Sequence, residues 1–114
     1  MMKEKQTVLR QNTQFRTLYY RGATRADKLL IVFARKNKVG YTRTGITTGK
    51  KAGNAVKRSR CRRVIRAAYR ELSPEIKAGY DLVFVARTAT AFCKSGEVTA
   101  AMRRVLRELD VIKG

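Results

Sequence analysis

Between positions 50 and 70 the chain carries nine lysines or arginines and no acid; the first carboxylate after them is Glu71. Few structures tolerate such a segment. Its charges repel one another, so it cannot be enclosed on all sides, and it gains most when a polyanion lies against it. One stripe can still enter a core. With Cys61 at the centre of a buried helical face and about 100° per residue, Lys57, Val64, Ile65, Ala68 and Leu72 fall within about a sixth of a turn of it. Arg62, Arg63, Arg66 and Arg70 then face the opposite way, and Arg58 and Arg60 sit on the two shoulders. Shoulder arginines can bury their methylene stems while aiming a planar five-donor fork outward, a shape suited to bidentate phosphate binding. A merely solvated face is the bland alternative. Exposed helices usually mix signs, however, whereas Arg58, Arg62, Arg66 and Arg70 succeed one another at i+4 and repel.

The rest of the composition narrows the partner. The net charge is +19 over 114 residues, which points to nucleic acid or an anionic membrane. Nucleic acid is the better fit, because no segment shows the broad apolar face of a membrane-surface helix and the longest apolar runs are far too short to span a bilayer. The N-terminal Met-Met-Lys-Glu-Lys lacks the apolar core of a signal peptide. The two cysteines, Cys61 and Cys93, form no disulfide framework, so a reduced, cytoplasmic protein is expected. Catalysis by the chain alone is disfavoured. Histidine is absent, and the eight acids are scattered without a D-x-D or E-x-x-E pair to hold Mg²⁺. No catalytic residue and no metal ligand is therefore expected.

Local patterns predict one layered domain over residues 1–114. Asn12 caps a first helix with Phe15, Leu18 and Tyr19 at helical spacing and Gly22 as its stop. Residues 28–36 read as a strand, residues 37–40 as a hairpin turn, and residues 41–48 as a second, threonine-rich strand. The basic helix runs from about Asn54 to Leu72, and Ser73-Pro74 ends it. Residues 80–87 form an apolar, central strand. Ser95 caps a last helix whose Val98, Ala101, Met102, Val105 and Leu109 make one stripe. The order is α-β-β-α-β-α, an α+β domain with a small sheet.

Two features bear on binding. Gly49-Lys50-Lys51-Ala52-Gly53-Asn54 leads from a strand into the basic helix, where glycines and the helix N-terminus suit a phosphate. It lacks G-x-x-x-x-G-K-[ST] and is no nucleotide P-loop; turning and capping the chain would equally explain Gly53 and Asn54. Phe15 and Tyr19, four apart, with Phe33 on the first strand, are either core or a stacking surface for single-stranded bases beside positive charge.

Taken together, these residues resemble the bacterial ribonuclease P protein subunit. The pattern is carried by Arg43-Thr44-Gly45, Lys50-Lys51, Gly53-Asn54-Ala55-Val56, Arg58-Ser59-Arg60 and Arg62-Arg63. Weaker matches are Phe15, Leu18-Tyr19 and Gly22, and Val85-Ala86-Arg87. The resemblance implies an α/β sandwich with a left-handed βαβ crossover around the basic helix, a fold shared with a ribosomal-protein domain and an exception to the right-handed rule. It implies a large catalytic RNA as partner, which holds Mg²⁺ and removes the 5′ leader of precursor tRNA, with the protein as a monomeric accessory subunit. It implies an RNA-binding surface of Lys50, Lys51, Asn54, Lys57, Arg58, Ser59, Arg60, Arg62, Arg63 and Arg66. The leader would lie in a cleft of Phe15, Tyr19 and Phe33, with Arg43 and Arg87 beside it. Ser59 replaces the family's usual Asn, Thr48-Gly49 stand where an apolar residue and Ser are common, and Thr88 stands where Lys occurs. A ribosomal or general RNA-binding protein is the competing reading, and a stand-alone nuclease is opposed by the missing histidine and paired acids.

Overall fold

The computed structural model describes residues 7–8, 12–49 and 53–113. Its elements are β1 (Thr7–Val8), α1 (Asn12–Arg21), β2 (Ala23–Ala26), β3 (Leu30–Lys36), β4 (Arg43–Thr47), α2 (Ala55–Leu72), β5 (Tyr80–Ala86) and α3 (Ser95–Glu108), with 3-10 turns at Ser73–Glu75 and Thr88–Phe92. The strands form one mixed sheet in the order β1-β4-β5-β3-β2.

β5 occupies the centre, and its content explains why. Leu82, Val83 and Phe84 are fully buried, so both faces and both edges of this strand must be covered. It pairs antiparallel with β3, Phe33 opposite Val83, and parallel with β4, Gly45 opposite Val83. The expected hairpin between β3 and β4 is therefore not formed. Asn37 still closes a turn there: its amide donates to the Tyr41 carbonyl at 3.0 Å and to Asp81 at 2.9 Å, and its side-chain oxygen accepts from the Val39 N–H. That turn spans two strand spacings, and β5 fills the gap after the chain crosses back through α2.

Period-two alternation assigns the two faces of the sheet. Leu30, Val32, Ala34, Leu82, Phe84 and Ala86 face α2 and α3, where Cys61, Ile65, Ala68, Leu72, Val98, Met102, Val105 and Leu106 complete the main core. Phe33, Val83 and Val85 face the other way, against Leu18 of α1. The result is a three-layered α/β/α arrangement in which the basic helix and the aromatic helix lie on opposite sides of the sheet.

Two strands escape the sequence pattern. β2 is exposed at all four positions and carries one charge, Arg25; a short edge strand with a charge is one form natural sheets use to block further pairing. β1, at two residues, is too short to show alternation. The last helix starts at Ser95, but Lys94 is its cap residue and Glu97 accepts from the Lys94 N–H at 3.0 Å, so Ser95 is not the capping side chain.

Gly22 stops α1 by proximity. A Cβ there would lie 2.6 Å from the Leu18 carbonyl oxygen and 3.1 Å from that of Ala34. Both are backbone atoms that cannot step aside. Gly22→Ala should destabilise the protein by about 1–3 kcal/mol, the usual cost of overpacking, and a urea titration would show it as a lower midpoint.

Candidate nucleic-acid interface

The basic helix begins at a defined cap. Gly53 adopts φ +116, the left-handed region that glycine enters without penalty. Asn54 follows in an extended conformation, and its side-chain oxygen accepts from the Lys57 N–H at 3.0 Å. Both residues thus have structural work at the helix start. Lys50 and Lys51, expected in the loop just before, lie outside the described residues.

From there the helix presents its charge much as the angular arithmetic requires. Cys61, Val64, Ile65, Ala68, Tyr69 and Leu72 are buried. Burial pushes the Cys61 thiol pKa up, against the pull of Arg60 and Arg62, which fits a packed hydrophobe rather than a reactive thiol. Ser59, Arg62, Arg63, Arg66 and Arg70 are exposed and Arg58 is half-buried. Lys57 is exposed rather than part of the buried stripe, and its ammonium lies 5.0 Å from the centre of the Phe92 ring.

The disposition of the acids matters as much. Asp27 accepts from Arg104 at 2.7 Å, Glu75 from Arg103, Asp81 from Arg43 and Asp110 from Lys77, while Glu108 lies 4.0 Å from Arg25. None of these partners is on α2. Among the described residues no ion pair engages Arg58, Arg62, Arg63, Arg66 or Arg70, and the one acid on α2, Glu71, leaves the helix strongly positive.

Not every arginine points at solvent with all its donors. Arg60 folds back: its Nε donates to the Ala91 carbonyl at 2.8 Å and Nη2 to that of Cys93 at 3.3 Å. Arg62 donates to Thr48 Oγ1 at 2.8 Å, fastening the end of β4 to α2. Between these elements lies a groove of about 290 Å³, floored by Ile46, Tyr69 and Phe84 and rimmed by Arg62, Arg66 and Arg70. Arg70 and Ile46 are additions to the expected site. Strand alternation alone turns Ile46, with Thr44, toward the basic helix.

The opposite face holds the aromatics. Tyr19, 44% exposed, meets Phe33 edge-on with ring centres 4.9 Å apart. Phe33 in turn packs on the Leu18 and Val83 cluster. Phe15 is on the same helix, and its side chain lies outside the described part of the structure. Arg43 shares this face, but its guanidinium is engaged by Asp81 through two hydrogen bonds of 2.8 and 2.7 Å. That interaction raises the Arg43 pKa against the opposing effect of burial. Arg87, at the end of β5, donates to the Asp27 carbonyl at 3.1 Å. Of the residues expected to line a cleft, Tyr19 and Phe33 are in contact, while Arg43 and Arg87 are bonded within the protein. Arg35 is a further addition. It lies across from Asp81 and two residues beyond Phe33 on the same face, a position the alternation Ile31, Phe33, Arg35 already marks.

The family model described as Ribonuclease P matches residues 2–110 of this chain. The chain belongs to the ribonuclease P protein family. Curated relatives agree: the ribonuclease P protein component of Clostridioides difficile is 36% identical over 104 residues, covering 90% of this chain and 91% of that protein. That of Oceanobacillus iheyensis is 34% identical over 111 residues, covering 96% and 92%. The ribonuclease P protein of Staphylococcus aureus superposes with a TM-score of 0.84 at 27% identity, covering 96% of this chain and all of that one. The Thermotoga maritima protein gives 0.77 at 25% identity, covering 93% and 97%. Membership makes the chain a protein component of ribonuclease P, a ribonuclease complex of tRNA processing that includes an RNA partner. The small α+β domain with a mixed sheet and three helices is the fold of the solved ribonuclease P proteins.

Proposed function

We propose that this ribonuclease P protein binds the catalytic RNA through the uncompensated arginines of α2 and holds the single-stranded 5′ leader of precursor tRNA against Tyr19 and Phe33. The observation that carries the reading is the segregation of charge: α2 holds Lys57 and six arginines against one acid, Glu71, near its C-terminal end, and every ion pair among the described residues lies on other elements. Phosphates approaching α2 release counterions without first displacing an internal carboxylate. The chemistry belongs to the RNA and its Mg²⁺. Among the described residues no three of His, Cys, Asp and Glu converge on one point, so the chain's own donors fit that ion poorly. By neutralising RNA phosphates at α2 and holding the leader on the opposite face of the sheet, the protein lets Mg²⁺ act at lower concentration and tightens precursor over product. It would act as an accessory subunit, monomeric in the complex and in the cytoplasm. No helix of the described residues is long and apolar enough to cross a membrane.

The test is cleavage of precursor tRNA by a bacterial ribonuclease P RNA at low Mg²⁺, with and without the protein. Cleavage only when both are present supports the reading. Tight, salt-sensitive binding without enhancement, across several such RNAs, would leave a general RNA-binding role instead. Tyr19→Ala adds a second arm. It should reduce the preference for precursor over mature tRNA by about 1–3 kcal/mol, the worth of one base–aromatic stack. Equal losses for both substrates would remove Tyr19 from the leader site.

A further inference from the structure

Phe92 is 68% exposed, an unusual place for a large aromatic at the end of a 3-10 turn. Its backbone is nevertheless held on both sides. Thr90 is fully buried, accepts from the Arg87 N–H at 2.9 Å and donates to the Leu29 carbonyl. Ala91 is buried, and the Cys93 thiol donates to the Ala89 carbonyl at 3.2 Å. Arg60 completes the clamp, since the two carbonyls it binds belong to Ala91 and Cys93, the residues immediately before and after Phe92. Above the ring stands Lys57, with its ammonium 5.0 Å from the ring centre.

The backbone that carries this exposed ring is thus fixed, and the ring is accompanied by a cation. Single-stranded nucleic acid is held by this combination, a rigid ring for the base and positive charge for the phosphate. We infer that Phe92 is a stacking platform for one unpaired nucleotide of the catalytic RNA, with Lys57 at its phosphate and Arg60 as the residue that positions the ring. The inference rests on the proposed RNA-binding role of α2 and deepens it. The 3-10 turn packs with α2, on the side of the sheet away from Tyr19 and Phe33, which assigns the nucleotide to the catalytic RNA rather than to the leader. In this arrangement Arg60 serves binding through Phe92 as well as through its charge.

The experiment uses Phe92→Ala, Phe92→Leu and Phe92→Trp in the full chain, each first shown by circular dichroism to keep the fold. The chain has no tryptophan, so Phe92→Trp is a single reporter. Phe92→Ala and Phe92→Leu should each bind ribonuclease P RNA about 5- to 150-fold more weakly, the range of one base stack. Phe92→Trp should bind as the wild type does, with its emission quenched by the RNA. Wild-type affinity in Phe92→Ala, recovery in Phe92→Leu, or unquenched emission at saturation would each overturn the platform, the second by showing that apolar cover suffices. Phe92→Ala should also keep the preference for precursor over mature tRNA; losing it would move the nucleotide to the leader and overturn the assignment. Failure of the wild-type chain to stimulate the RNA would count against the ribonuclease P reading itself. In that event quenching of Phe92→Trp by oligouridylate would still uphold the stack, and its absence would refute it.

Discussion

Replacing Arg62, Arg63 and Arg66 together by alanine should weaken binding to ribonuclease P RNA on the order of 100-fold near physiological salt, and should flatten the salt dependence by about three units, one for each phosphate no longer neutralised. The three side chains are exposed and, among the described residues, pair with no carboxylate. Their removal leaves no acid stranded, and the fold should survive with a nearly unchanged melting temperature. The cost falls on binding because all three lie on one face of one rigid helix and can meet one RNA surface together. Filter binding at several salt concentrations, with circular dichroism as control, measures both quantities. An unchanged slope would mean that this face meets no phosphates, and the interface would have to be sought elsewhere.

Phe84→Ala should have the largest effect on stability, about 3–5 kcal/mol. Phe84 is among the largest fully buried side chains, on the central strand, with its ring 5.7 Å from that of Tyr69. A cavity there loosens the packing between the sheet and the helix that carries the arginines. It also removes part of the floor of the groove beneath Arg62, Arg66 and Arg70. Since domains are typically stable by only about 5–15 kcal/mol, such a loss should be plain in a denaturant midpoint, and RNA binding should partly restore it by mass action. A loss under about 1 kcal/mol would show that the core collapses around the gap more readily than cores usually do.

How far these features can be read from residues alone varies with the range of the interaction. The basic helix is legible because its signals are local: a capping Asn54, a stripe through Cys61, Ile65 and Leu72, and Ser73-Pro74 at its end. The central placing of β5 is legible from its unbroken apolar content. The pairing of β4 is not, because nothing in residues 37–40 tells whether the chain turns across one strand spacing or two. That depends on a partner some forty residues later. β2 is hidden because an edge strand needs no apolar face. Within the site, the arginines of α2 follow from helical geometry, whereas the retraction of Arg60 onto Ala91 and Cys93, the commitment of Arg43 to Asp81 and the presence of Lys57 over Phe92 all join distant segments. No period or spacing encodes them.

The insertion of β5 between β3 and β4 has a consequence for how the chain is made. Until residues 80–86 have left the ribosome, β3 and β4 each present an unpaired edge that no earlier strand can close, because β1 and β2 cover only their outer sides. The two halves of the sheet cannot register with each other in that interval, and open strand edges invite association between nascent chains. A chain halted at the end of α2 would have the arginines of that helix already synthesised but no sheet against which to hold them. In this protein the most positive segment therefore precedes the capacity to fold, and the last third of the polypeptide supplies the sheet that displays it.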